Sequence, residues 1–183
     1  MKRDLLLPAI MATVMVVLFS WLSVGLSLVL TFVPAVPVAY WLYWRTCYRH
    51  NPDPAKVLPL YLLGICFQLV HFAEEHAYGF DVAFGMLFGG RPYAHNFFVT
   101  FNMCAYFLFI LGGIGLYKGI KPLMFIAMFF ITYGMVGNAI GHVGFCTAVH
   151  GYFPGIYTCF FNLFLGAYLV KVLWQDTHSP VVH

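Results

Sequence analysis

The feature that most restricts the fold of this chain is a series of long apolar runs, the first of which covers residues 5–30 without a charged side chain. As a helix, this run would be ~39 Å long, which is enough to cross the hydrocarbon core of a bilayer. The runs do not alternate between polar and apolar residues, as strands of a membrane barrel would. Only 8% of the 183 residues are charged, whereas soluble domains carry ~25%. The sequence therefore predicts an all-α integral membrane protein with one transmembrane domain over residues 1–183.

Prolines, glycines and charged residues divide the chain into about six predicted spans. These spans are residues 5–30, 31–44, 57–76, 94–116, 122–142 and 154–173. Pro34 and Pro37 indicate a turn at the outer surface, so the second run is either a short, tilted span or an interfacial segment. The apolar, glycine-rich residues 79–93 are typical of a re-entrant segment or of a lid on the bilayer surface.

The distribution of basic residues favours six spans with both termini in the cytoplasm. In that arrangement eight of the nine lysines and arginines lie inside, and only Arg91 lies outside. Merging the first two runs into one span would place Lys2 and Arg3 opposite Arg45. The net charge of +3 reflects the placement of the loops and gives no reason to expect nucleic-acid binding.

The most unusual polar stretch closes the third predicted span, where His71, Glu74, Glu75 and His76 follow a mostly apolar run. A helix places His71 and Glu75 one turn apart on the same face. Ionisable side chains inside a membrane are costly, so they are usually functional or paired with one another. This stretch is therefore the first candidate for a functional site.

The predicted topology brings further polar residues to the same outer level. His95 and Asn96 begin the fourth span, and Asn102 lies two turns deeper on the face of His95. Asn138 and His142 end the fifth span, and the following loop carries His150 and Tyr152. The sequence therefore predicts one outward-facing polar site, formed by His71, Glu74, Glu75, His76, His95, Asn96, Asn102, Asn138, His142, His150 and Tyr152.

Imidazole and carboxylate groups in this number favour a divalent metal such as zinc, iron or manganese. The predicted ligands are His71, Glu75 and His142, with His150 or His95 as a fourth ligand or a neighbouring group. Glu74, whose side chain lies ~100° around the helix from that of Glu75, is the candidate general base. Structural interpretations of the same residues stay open. The two glutamates could mark the membrane edge, and Asn96 could cap a helix. His142, Asn102 and Asn138 could form contacts between helices, and Cys146 and Cys159 could form a disulfide.

The pattern His71-x-x-Glu74-Glu75, a later histidine and the element Tyr152-Phe153-Pro154-Gly155 occur together in a short, multi-span chain. This combination resembles the HXXEE family of small bacterial integral membrane proteins, whose function is unknown. The match covers residues 57–164, with His142 or His150 as the later histidine. The resemblance implies a bacterial cytoplasmic membrane and a polar site suspected to be enzymatic, but it supplies no reaction.

Several functions fit these residues. The first is a membrane-embedded, metal-dependent enzyme that acts on a lipophilic substrate. Hydrolysis would use Glu74 as base and Tyr152 near the oxyanion, and an iron site would favour oxidation. The second is a metal-free isomerase or cyclase of an isoprenoid-like substrate, with Glu74 or Glu75 as acid and aromatic rings stabilising a cation. The others are a proton-coupled transporter and a structural subunit, with the lipid bilayer as partner in every case.

Overall fold

The computed structural model describes residues 3–178, and every regular element in this range is a helix. Six helices are long and apolar enough to cross a membrane: Arg3–Leu22, Ser27–Arg45, Pro54–Ala77, His95–Lys118, Lys121–Val149 and Ile156–His178. The predicted all-α class is therefore confirmed, and the number of helices that could span a membrane equals the number of predicted spans. The cytoplasmic placement of both termini stays a prediction, and Lys2 lies outside the described residues.

The first apolar run is broken earlier than the sequence predicted. Helix α1 (Arg3–Leu22) ends before a turn at residues 23–26, and α2 (Ser27–Thr31) and α3 (Ala35–Arg45) together form the second span. Gly25 makes the turn possible, because its φ is +58° and a Cβ there would lie 2.6 Å from the carbonyl oxygen of Phe88. A short turn at residues 32–34 includes Pro34, the N-cap of α3, and Pro37 lies in the first turn of that helix, where its missing N–H group costs little. The prolines therefore mark a break within the second span, and the turn between the first two spans lies earlier, at residues 23–26.

Helix α4 (Pro54–Ala77) starts with a proline that follows the N-cap Asp53, whose side chain accepts a hydrogen bond from the N–H of Ala55. Helix α9 (Ile156–His178) runs antiparallel to it and packs along its length. At the far end of α9, Asp176 accepts hydrogen bonds of 2.6 Å from the N–H of Asp53 and from Lys56 Nζ. The last turn of α9 is therefore attached to the first turn of α4.

The glycine-rich segment after α4 is a short helix, α5 (Phe80–Leu87), followed by a turn into α6 (His95–Lys118). Phe80 and Phe84 are buried, and their rings stack at a centroid distance of 4.8 Å. Phe80 also lies 5.4 Å from the ring of His142. This segment is therefore packed on the polar residues of the neighbouring helices.

The fifth span lies at the centre of the fold. In its most apolar 18-residue segment 61% of the residues are buried, whereas the corresponding share in the other spans is 11–33%. It consists of α7 (Lys121–Phe129), a π-helical segment (Phe130–Gly137) and α8 (Asn138–Val149). The prediction ended this span at His142, but the helix continues to Val149. His142 therefore lies inside the helix, where packed rings enclose its imidazole and keep it from solvent. Cys146 and Cys159 are free thiols, so the disulfide considered between them was wrong.

Candidate metal centre

The predicted ligands His71, Glu75 and His142 form one buried group, in which a ligand atom from each residue lies within 4.8 Å of the others. Glu75 Oε1 lies 3.3 Å from His71 Nε2 and 3.2 Å from His142 Nε2. The two imidazole rings are almost perpendicular, with centroids 4.8 Å apart. Because α4 supplies two of these residues and α8 supplies the third, the group joins the third and fifth spans.

The chemistry of this group fits a metal ion. His142 Nδ1 is buried without a hydrogen-bond partner among the described residues, and the buried Nε2 has only the ion-pair contact of 3.2 Å with Glu75 Oε1. Buried polar atoms are normally paired, so such atoms need an explanation, and a bound cation is one that would satisfy Nε2. Two imidazoles and one carboxylate also match the ligand set of catalytic zinc sites, which leave another position open. The described residues could therefore hold a metal ion, and its identity stays open.

Gly155 explains why the loop before α9 can approach these histidines. Its φ is +98°, and a Cβ at this position would lie 2.3 Å from His142 Cε1 and 2.7 Å from His71 Cε1. Only glycine fits both the backbone conformation and the space. The Tyr-x-Pro-Gly element of the sequence is therefore a packing surface for both imidazoles.

Glu74 has a different environment from Glu75, although the two residues are adjacent. Its carboxylate accepts hydrogen bonds from the N–H groups of Gly155, Tyr157 and Thr158 at 3.1, 3.2 and 2.9 Å. It also accepts from the hydroxyls of Tyr152 and Thr158, at 3.0 and 2.6 Å. The N–H groups of Tyr157 and Thr158 belong to the first turn of α9, and that of Gly155 lies just before it. The N–H groups of a first turn have no acceptor within their own helix, and the helix dipole also favours an anion there.

Glu74 therefore caps the N-terminus of α9 from a neighbouring helix. Five donors occupy its two oxygens, so little acceptor capacity remains for a substrate proton. This geometry disfavours the general-base role that the sequence suggested for Glu74. It favours a role in positioning α9 and the loop that carries Gly155.

Tyr152 and His150 lie apart from the buried group. The Tyr152 hydroxyl donates to Glu74, and its half-exposed ring packs against Tyr78 and Tyr157. Partial burial and the hydrogen bond to the Glu74 carboxylate raise the pKa of Tyr152 well above its usual value. His150 is exposed and ends α8 in a left-handed conformation, with φ 52°. His150 is not among the residues that the structure brings together in the buried group, and its role as a metal ligand stays a prediction.

The remaining histidines of the predicted site form a separate contact near the surface. His95 is exposed, and its Nδ1 lies 2.9 Å from Asp81 Oδ2. The ring of His76 lies 4.9 Å from that of His95, and His76 is also exposed. Asn96 is exposed and is not the N-cap of α6, which is Ala94, although its Oδ1 accepts a hydrogen bond of 2.9 Å from the N–H of Phe97 in the first turn. The structure therefore does not bring His95 into the group of ligands.

Glu75 also lines a partly open cavity of about 70 Å³. Gln68, Asn102 and Asn138 contribute the other polar side chains of its wall. The rest of the wall is mainly aromatic and comprises Leu28, Phe32, Phe80, Phe84, Tyr93, Phe97, Phe98, Phe101 and Tyr133. The candidate metal group thus borders a space that is apolar on most sides and polar near Glu75.

Sequence reasoning missed three residues of this polar network. Thr158 Oγ1 lies 3.0 Å from His71 Nδ1, and Asn162 donates a hydrogen bond of 2.7 Å to Gln68 Oε1. Thr158 and Asn162 are one turn apart on α9, and Gln68 lies one turn before His71 on α4. This helical spacing of polar residues in apolar spans was the signal that could have revealed them.

Comparisons with models of protein families, with curated proteins and with solved structures give no match for this chain. The resemblance to the HXXEE family therefore stays a prediction that rests on the motif residues. The assignment of function below rests on the geometry of the site.

Proposed function

We propose that this protein is a membrane-embedded, metal-dependent enzyme that acts on a lipophilic substrate. The observation that carries the proposal is the position of Glu75, which belongs both to the buried group with His71 and His142 and to the wall of the aromatic cavity. A metal at this group would lie where a reactive part of a ligand could approach it from the cavity. Such a metal supplies a Lewis acid for hydrolysis, or redox chemistry if it is iron.

The residues of the chain itself would bind and orient the substrate. The aromatic wall favours an apolar or unsaturated chain, and its rings exclude water from the reacting region. Asn102, Asn138 and Gln68 offer hydrogen bonds to a polar group near Glu75. The free space admits one end or one short segment of a lipid, so the remainder of the substrate would stay in the bilayer. We place the active side outside the cytoplasm, as the distribution of basic residues predicts.

The cavity also favours a second candidate, the metal-free isomerase or cyclase. Glu75 would act as the acid, since it faces the cavity and Glu74 is occupied by α9. The rings of Phe32, Phe98 and Phe101 are in a position to stabilise a cationic intermediate. Transport stays a prediction of the sequence alone.

The decisive experiment is the metal content of the protein, purified in mild detergent without chelators and measured by elemental mass spectrometry. We expect about one zinc, iron or manganese ion per chain in the wild type, and loss of this ion in His71→Ala and in His142→Ala. His76→Ala is the matched control, because His76 lies on the same helix as His71 but is exposed. This control should retain the metal.

Turnover is then tested with vesicles of total bacterial polar lipid, analysed by mass spectrometry before and after incubation with the protein. A lipid product that forms with the wild type and disappears with Glu75→Gln supports an enzyme. A metal-free wild type that still forms the product would replace the metal proposal with the acid mechanism. Absence of both metal and product would refute the proposed function.

A further inference from the structure

The hydroxyl of Thr158 lies between Glu74 and a predicted metal ligand. Thr158 Oγ1 is 2.6 Å from Glu74 Oε2 and 3.0 Å from His71 Nδ1. The same Glu74 oxygen accepts a hydrogen bond of 2.9 Å from the backbone N–H of Thr158. The chain Glu74–Thr158–His71 therefore connects the cap of α9 to the buried imidazole of α4.

The direction of the hydrogen bonds follows from a count of protons. Glu74 receives five hydrogen bonds, including three from backbone N–H groups, so its carboxylate acts only as an acceptor. The single hydroxyl proton of Thr158 must then point to Glu74. Thr158 Oγ1 can only accept from His71, which requires the proton of a neutral His71 to be on Nδ1.

The other side of the His71 ring agrees with this assignment. Asn138 Nδ2 lies 2.8 Å from His71 Nε2, and an amide NH₂ group is a donor, so Nε2 offers its lone pair. Glu75 Oε1, an acceptor, lies 3.3 Å from the same nitrogen. His71 Nε2 and Glu75 Oε1 thus face each other as two lone-pair donors, which is the arrangement that a cation would join.

We infer that Thr158 is a positioning residue that, held by Glu74, keeps the His71 proton on Nδ1 and so leaves a lone pair on Nε2, which a metal would bind in place of the Asn138 amide. A partner on the second ring nitrogen commonly fixes the tautomer and orientation of a metal-binding histidine. The statement about the metal rests on the proposed function, whereas the tautomer of His71 does not. It assigns Glu74 an indirect role, through Thr158, in addition to capping α9.

The test uses ¹⁵N NMR of the histidine rings in the full-length, metal-free protein, with the His71 signals assigned by their loss in His71→Gln. We expect a protonated Nδ1 and an unprotonated Nε2 in the wild type. Thr158→Val removes the hydroxyl but keeps the backbone N–H that donates to Glu74, so Glu74 still caps α9. In this variant we expect a mixture of tautomers or a shift of the proton to Nε2, towards Glu75. Thr158→Ser should restore the wild-type spectrum.

The control is Thr177→Val on the same helix, because the buried Thr177 hydroxyl donates to the carbonyl of Leu173 and does not contact His71. The spectrum of His71 should not change in this variant. An Nε2-protonated His71 in the wild type, or an unchanged tautomer in Thr158→Val, would overturn the inference.

A zinc titration against a competing chelator provides the second measurement. We expect Thr158→Val to bind zinc about 10- to 100-fold more weakly than the wild type and Thr158→Ser to recover most of the affinity. An Nδ1-protonated wild type that binds no zinc would support the tautomer assignment and count against the proposed metal site. Equal zinc affinity in Thr158→Val and the wild type would contradict the role of Thr158 in metal binding.

Discussion

Glu74 and Glu75 are adjacent in the sequence but contact different helices. Glu74 accepts hydrogen bonds from the first turn of α9, while Glu75 Oε1 faces His142 Nε2 of α8 at 3.2 Å. The ~100° rotation between neighbouring residues on a helix produces this division. One of these carboxylates thus holds the start of α9 and the loop that carries Gly155, and the other completes the candidate metal group.

Substitution of the two glutamates should therefore have separable effects. Glu74→Ala leaves the backbone N–H groups of Gly155, Tyr157 and Thr158 without their acceptor, so we expect the free energy of unfolding to fall by about 2–4 kcal/mol. Glu74→Gln, which retains a carbonyl oxygen, should lose less. Glu75→Gln should abolish metal binding with a smaller change in stability. Thermal unfolding in detergent and elemental analysis of the same samples measure both effects, and equal metal loss in folded Glu74→Gln and Glu75→Gln would contradict this division.

Gly155 gives a steric prediction. In Gly155→Ala the new methyl group would overlap His142 Cε1 and His71 Cε1, so we expect both lower stability and loss of metal. Gly151→Ala is the control in the same loop, because the nearest atom to its Cβ is 3.9 Å away. Thermal midpoints and metal content should stay near wild-type values in Gly151→Ala. A Gly155→Ala protein with normal stability would mean that the loop does not pack against the imidazoles.

Tyr152 gives a pH-dependent prediction. Its pKa is raised in the folded state by partial burial and by its hydrogen bond to Glu74. Its contribution to stability is therefore fully present below the unfolded value of ~10 and is lost as the pH rises towards the folded pKa. At pH 8 we expect Tyr152→Phe to be about 1 kcal/mol less stable than the wild type.

The difference in stability between Tyr152→Phe and the wild type, measured by chemical unfolding, should be smaller at pH 11 than at pH 8. Tyr157→Phe controls for general alkaline effects, because Tyr157 is 72% exposed. A stability difference for Tyr152→Phe that is constant from pH 8 to pH 11 would contradict the role of the phenol proton.

At the opposite end of the α4–α9 pair, Asp176 should matter more than its ion-pair partner Lys56. Lys56 Nζ is an exposed partner, and such ion pairs contribute ~0–1 kcal/mol. Asp176 also accepts from the backbone N–H of Asp53 at 2.6 Å, so Asp176→Ala should cost about 1–2 kcal/mol. Unfolding measurements at low and high salt separate the two effects. A larger loss in Lys56→Ala than in Asp176→Ala would show that the ion pair dominates.

The element that the sequence predicted least well is the first pair of spans. Apolar residues continue through Gly25, so hydropathy alone extended the first helix to residue 30. The turn depends on contacts distant in sequence: Gly25 lies against the carbonyl of Phe88, and the Tyr93 hydroxyl accepts from the N–H of Val24 at 2.9 Å. Prolines misled the prediction because a proline in the first turn of a helix and a proline in a loop look the same locally.

The site shows a similar division. Helical spacing alone relates His71 to Glu75, and topology alone brings α4 and α8 to one level, so the group with His142 could be inferred before the structure was known. The same topology also gathered His95 and His150, which the structure separates from the group. His95 instead contacts Asp81 near the surface, and His150 is exposed at the left-handed end of α8.

By itself, the sequence determined that the chain is helical, that six segments can cross a membrane and that polar groups collect near one end of the third and fifth spans, because hydrophobicity and helical periodicity are local properties. Tertiary structure alone decided which glutamate faces the histidines, which helix Glu74 caps and how Thr158 orients His71. Those relationships depend on the rotation of α4 and on the packing of α9 against it. Neither can be read from spacing, since each is set by many weak contacts between residues far apart in the chain.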